Sequence, residues 1–116
     1  MKTIKTNNIR KVRFWGEQDG LPEGTLKSKL TELFHSSKEI DRAYLVRVSY
    51  EKSTEVSVAL CLRGDHVSNA NMAARVAGVF SQLFNQSEHL DILFLDDSQE
   101  FELQGISRPF FIKDLQ

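Results

Sequence analysis

Two consecutive runs of strict alternation constrain this chain more than any other feature. From Arg42 to Tyr50, Tyr44, Val46, Val48 and Tyr50 alternate with Ala43, Leu45, Arg47 and Ser49. After the polar link Glu51-Lys52-Ser53-Thr54-Glu55, the pattern resumes with Val56, Val58, Leu60 and Leu62 against Ser57, Ala59, Cys61 and Arg63. Successive side chains of a strand point to opposite faces, and β-branched and aromatic residues suit a pleated, half-buried surface. A link of hairpin length therefore predicts an antiparallel pair. A hairpin alone cannot bury its apolar face, so the rest of the chain must cover it. With 116 residues, that chain is sized for one domain.

The covering elements are legible in the 3.6-residue periodicity. Leu26, Leu30, Leu33 and Phe34 fall at i, i+4, i+7 and i+8, a stripe that predicts a helix from Thr25 to about Ser37. Before it, Gly16 to Gly24, with three glycines and Pro22, reads as a turn-rich connection, and Arg10 to Trp15 reads as a first short strand. Gly64-Asp65-His66 breaks the hairpin's second strand, and Ser68 can cap a second helix whose stripe is Met72, Val76, Val79, Phe80 and Leu83. Leu90, Ile92 and Phe94 against Asp91, Leu93 and Leu95 mark a last strand. Asp97, with Glu100 three residues on, suits the start of a short helix stopped by Gly105. The close, Pro109-Phe110-Phe111-Ile112, is apolar and is expected to dock on the body of the domain rather than stay in water. Residues 1–8 read as a flexible tail.

The order β-α-β-β-α-β predicts an α+β fold of ferredoxin-like, split βαβ type: an antiparallel sheet with two helices on one face and a short C-terminal helix. If the larger apolar set of each strand faces the helices, the other face carries Arg13, Trp15, Leu45, Arg47, Ala59, Cys61, Arg63, Asp91, Leu93 and Leu95. Arg13, Arg47 and Arg63 on three strands beside Trp15 could receive an anionic group by bidentate contact or stacking, and the leucines among them suit a protein interface rimmed by charge. A solvated sheet is the plain alternative. The predicted interaction surface is Arg13, Trp15, Arg47 and Arg63 with Phe110 and Phe111. In the usual strand order of this topology the strand Ala43 to Tyr50 lies at a sheet edge, which, with the mixed Arg/Leu face, predicts a homodimer; the competing reading is that the apolar C-terminal segment covers that edge and keeps the chain monomeric.

Three of the chain's features, Ile40-Asp41-Arg42-Ala43-Tyr44-Leu45, the strand ending Leu90-Asp91-Ile92-Leu93-Phe94-Leu95-Asp96-Asp97, and the close Pro109-Phe110-Phe111, resemble in order and spacing the C-terminal domain of enhanced serine sensitivity (SseB-type) proteins. The resemblance runs from about Gly16 to Phe111, and the whole chain reads as one such domain. It implies a bacterial, cytosolic, non-enzymatic domain linked to serine tolerance and, in related sequences, to toxin immunity. It supplies no catalytic residues. Set against that resemblance, the chain is expected to lack the domain that precedes this one in larger SseB-type proteins, so their whole-protein phenotype does not carry over to it.

No residue pattern argues for chemistry. His35, His66 and His89 have no second His or Cys at ligand spacing and read as surface or capping residues, so no metal or cofactor is expected. Cys61, the only cysteine, reads as a structural thiol, and adjacent Asp96 and Asp97 as capping residues rather than an acid-base pair. Gly16, Gly20 and Gly24 lack the spacing of a phosphate-binding loop and read as turn residues. A net charge of -1 gives no global attraction to DNA or an anionic membrane. With a single cysteine and no apolar signal core, the cytoplasm is the expected compartment. The function expected is a protein-binding or regulatory module with an unidentified protein partner. The alternative is a small anionic ligand or RNA on the open sheet face, although RNA recognition there normally uses two or three aromatic platforms and only Trp15 is available.

Overall fold

The computed structural model describes residues 12–18, 20–37, 39–50, 55–64, 69–84 and 90–113, and side chains in all of these except residues 69 and 70. The 1–8 tail, most of the hairpin link, the Ser68 cap, His66 and His89 lie outside the described residues. The elements are β1 (Val12–Glu17), α1 (Leu21–Ser37), β2 (Arg42–Tyr50), β3 (Ser57–Arg63), α2 (Asn69–Leu83), β4 (Asp91–Phe94), α3 (Asp97–Gln104) and β5 (Phe111–Ile112). The α+β class and the β-α-β-β-α-β succession are those the periodicities predict, followed by the short third helix.

Helix α1 begins at Leu21, four residues before the predicted start at Thr25. Pro22 lies in its first turn, where the missing N–H would have had no helical partner and the fixed φ fits the helix. The first turn closes with Gly24 N–H donating to Gly20 O at 2.9 Å. Of the three glycines read as turn residues, only Gly20 makes the turn, with φ 151, a backbone conformation that favours glycine. Gly16 lies in β1 and Gly24 inside α1.

The lateral strand order is β1-β2-β3-β4, and β5 pairs with β2. β2 is antiparallel to β1, β3 and β5, whereas β3 and β4 run parallel, so the sheet is mixed rather than wholly antiparallel. The parallel pair follows from the connection: a strand, a crossover helix and a returning strand bring β4 beside β3 in the same direction. This order places β2 inside the sheet, between β3 on one side and β1 with β5 on the other, rather than at the edge expected from the sequence.

Both sheet faces are buried. On one, Leu26, Leu30 and Phe34 of α1 and Met72, Val76 and Phe80 of α2 pack with Ala43, Leu45, Leu60, Leu62 and Ile92. On the other, Phe14, Tyr44, Val46, Val48, Ala59, Cys61, Leu93 and Leu95 cluster with Leu103 of α3. The helix stripes and the β3 and β4 faces are as predicted, but β1 and β2 are turned over. The larger set of β2 faces away from α1 and α2, and the smaller pair Ala43 and Leu45 lies beneath them. Hydroxyl chemistry accounts for that choice, because a buried tyrosine needs a polar partner for its O–H. Tyr44 finds Glu100 and Tyr50 finds Asp91 on the α3 side.

Candidate functional site

The α3 side of the sheet is organised by one carboxylate. Glu100, 5 % exposed, accepts from Arg42 through Nε at 2.5 Å and Nη2 at 2.8 Å, and from the Tyr44 hydroxyl at 2.8 Å. Arg63 Nε stands 3.6 Å from the same carboxylate, while its guanidinium also donates to Leu95 O at 2.9 Å and pairs with Asp97. The bidentate fork to Arg42 holds the Glu100 carboxyl below its ordinary pKa and raises that of Arg42. Burial, reinforced by the bond to Glu100, pushes the Tyr44 phenol up to about 12. Burial and the 2.6 Å bond to Asp91 likewise raise Tyr50. Among the described residues no buried side-chain polar atom lacks a partner. The network is a clasp that fixes α3 to β2 and β3, with the ionised form of Glu100 favoured by its bonds to Arg42.

The sequence offers little that would have singled out Glu100. It shares the inner side of α3 with Leu103, a spacing of three, but a glutamate in a short polar helix reads as solvated. Its expected job, partnering Asp97 as a cap, goes to its neighbours. Asp96 is the N-cap, accepting from Gln99 N–H at 2.8 Å while the Gln99 side chain accepts from Asp96 N–H at 3.0 Å. Asp97 turns aside to Arg63, so the two aspartates do not form an acid-base pair. Cys61 is fully buried and burial raises its pKa, which keeps the thiol protonated. No cluster of His, Cys, Asp and Glu among the described residues could hold a metal.

The predicted surface residues divide into three groups. Arg63 belongs to the Glu100 clasp, on the opposite face from Arg13 and Arg47. Phe111 is a core residue whose ring lies 5.5 Å from that of Phe34, with Phe110 at 6.4 Å, so the C-terminal segment docks as expected and is not an open surface. The remaining three come together. Trp15 donates from Nε1 to Ser49 Oγ at 3.0 Å, the Arg13 guanidinium lies 4.3 Å above the Trp15 ring, and Arg47 crosses Gly16 so closely that a Cβ there would stand 3.1 Å from Nη2.

This corner sits on β1, whose register with β2 shifts between Phe14 and Gly16. The break lets Gly16 face Arg47 while Trp15 remains 47 % exposed. The stacked guanidinium and indole attract each other as cation and π-face. Neither Arg13 nor Arg47 has a carboxylate partner among the described residues, whereas Glu17 is taken by Lys27 at 3.4 Å and Ser107 at 3.3 Å. Among the described residues the corner thus carries two guanidinium groups without a carboxylate partner, Arg13 over the exposed indole and Arg47 beside the neighbouring Gly16. The sheet itself offers no open face for an anion or RNA, since Tyr44, Val46, Ala59, Cys61 and Leu93 are each at 0 % exposure. Sequence reasoning also missed Phe101, which stands 80 % exposed on α3.

These features define an α+β domain, a mixed sheet with two helices on one face and a clasped third helix on the other, whose ionisable interior groups are engaged in structural contacts. Residues 21–113 match the family described as SseB protein C-terminal domain, and the chain belongs to that family. No curated protein and no solved structure matches it. No helix among the described residues is long and apolar enough to cross a membrane.

Proposed function

We propose that this domain is a non-enzymatic, cytoplasmic protein-binding module whose docking surface is the corner formed by Arg13, Trp15 and Arg47. One observation carries the reading: two guanidinium groups with no carboxylate partner among the described residues, Arg13 over an exposed indole on an outer strand and Arg47 beside the adjoining Gly16. Arginine and tryptophan are the residues that most often dominate binding energy at protein interfaces, because both present large, stiff surfaces with directed donors. The groups that could do chemistry support the same reading, since Glu100 is locked in its ion pairs and Cys61 is held as a buried thiol. The SseB-type resemblance extends the proposal to a regulatory role in stress or amino-acid tolerance, or to an immunity-type protein.

Affinity capture from the native host tests it, with wild-type chain compared against Arg13→Glu/Arg47→Glu. The expected result is a protein retained by the wild type and lost from the variant, with thermal unfolding unchanged. Identical sets of retained proteins would refute the assignment of the corner.

A further inference from the structure

Besides its side chains, the corner presents a backbone. β1 pairs on one side with β2, and among the described residues its other side has no strand beside it. An outer row of N–H and C=O groups is a template for an added strand, with main-chain bonds giving affinity and side chains on alternate positions giving selectivity. The opposite outer strand, β4, is shorter, with Asp91, Ile92 and Leu93 all buried, and shows no comparable display of side chains.

Charge indicates which strand would fit. The exposed side chains of β1 are Arg13, Trp15 and Glu17, and Glu17 is paired within the chain by Lys27, which leaves Arg13 and the adjoining Arg47 as the charges without an opposite partner among the described residues. A second copy of β1 would bring its own uncompensated arginines to the same place, and like charges across strands are destabilising. A strand bearing carboxylates would meet them with opposite sign, and guanidinium groups bind carboxylates bidentately.

Resting on the protein-binding reading of the same corner, we propose that the outer edge of β1 accepts an extended acidic segment of a partner protein as an added strand. Its carboxylates are received by Arg13 and Arg47, and one of its apolar side chains lies against Trp15. The shift in register at Trp15 limits the paired length to a few residues on either side of it. Affinity is therefore strongly dependent on charge and salt.

Trp15 is the only tryptophan, so its fluorescence reports directly on this edge. The probes are capped synthetic peptides of about seven residues alternating Glu with Thr or Val, the counterpart with Lys in place of Glu, and the acidic peptide N-methylated at alternate backbone nitrogens in both registers. Titrated into the full chain, the acidic peptide is expected to shift Trp15 emission and the Lys peptide to leave it unchanged. Methylation removes the ladder donors while keeping every charge, and should weaken binding about tenfold, as should Arg13→Glu/Arg47→Glu. Arg13→Gln/Arg47→Gln, a milder change at two exposed positions, should weaken it in the same direction. Absence of binding by the acidic peptide, or equal binding by its methylated forms, would overturn strand addition while leaving the host-capture comparison to judge the protein-binding reading separately. Undiminished binding by both arginine variants would overturn the site. A wild-type dimer that Arg13→Glu dissociates would assign the edge to a second copy and overturn the acidic partner.

Discussion

Glu100 gathers three donated hydrogen bonds from Arg42 and Tyr44 onto one buried carboxylate, and a charge so placed is sensitive to acid. Its pKa is lowered in the folded state by the bond to Arg42. The stabilisation it contributes is complete above the unfolded carboxylate value of about 4.3 and is lost as pH falls through the lower folded value. Urea unfolding measured from neutral pH down through that range should show stability falling in acid. Glu100→Gln should be about 2 kcal/mol less stable at neutral pH, because a charge-assisted pair is exchanged for a neutral amide, and should show a flatter acid dependence. A variant with the wild-type acid slope would contradict the clasp. The tyrosines act at the other end of the scale. Tyr44 and Tyr50 have raised pKa values, so their stabilisation is complete below the unfolded phenol value of about 10 and declines as pH rises toward the folded ones.

At the scale of elements, the N-cap of α3 lies one residue before the position its acidic spacing suggests. Both Asp96 and Asp97 are suitable N-caps; Asp96 takes the role, and Glu100 lies on the inner side of the helix against Arg42 and Tyr44. Asp96→Ala should cost about 1 kcal/mol, whereas Asp97→Ala, which removes an ion pair at the surface, should cost about half that or less. Equal losses in denaturant titration would contradict the capping assignment. The single-residue offset between expectation and structure arises here, since the sequence shows the acidic spacing but not the tertiary partner that decides it. The same limit applies to β2. A strand buried on one side only declares its orientation by alternation, but Tyr44, Leu45, Val46 and Val48 are all buried, so alternation in size carried no information about which set meets the helices. By contrast the stripes of α1 and α2 were legible because each helix buries a single face. Leu30→Ala or Phe80→Ala should cost roughly 2 to 5 kcal/mol, and a loss below about 1 kcal/mol would contradict their place in the core. The C-terminal segment was legible for the plainest reason, three adjacent large apolar residues. With Phe111 in the core and β5 on β2, removal of residues 109–116 should lower the melting temperature markedly, and an equally stable truncation would contradict the docking.

For the whole molecule, strand order decides which surfaces remain for association. The candidate corner was legible in part: Arg13, Trp15 and Arg47 do meet, even though β1 and β2 are turned over, because the residues move together when both strands flip. Arg63 does not join them, since β3 kept its orientation. A homodimer was expected through a free β2 edge or through the mixed Arg/Leu face, and both surfaces are engaged within the chain. β2 is paired along both sides, with β3 on one and with β1 and β5 on the other. The former Arg/Leu face is divided between two cores, with Leu45 under the helices and Ala59, Cys61 and Leu93 under the other side. Val48 now sits at 0 % exposure in the middle of a central strand. Val48→Pro should therefore abolish folding rather than release a monomer, because proline removes a ladder donor and cannot be accommodated inside a sheet. With β1 guarded against its own kind by the uncompensated Arg13 and Arg47, the wild-type chain should sediment as a monomer at micromolar concentration, and more firmly so at low salt, where repulsion between the corners is least screened. Sedimentation equilibrium across a range of ionic strength distinguishes the cases. A dimer strengthened by salt would show that repulsion at the corner is the only barrier to self-pairing. A dimer insensitive to salt and to Arg13→Glu would place the contact elsewhere, with exposed Phe101 on α3 as the first residue to change.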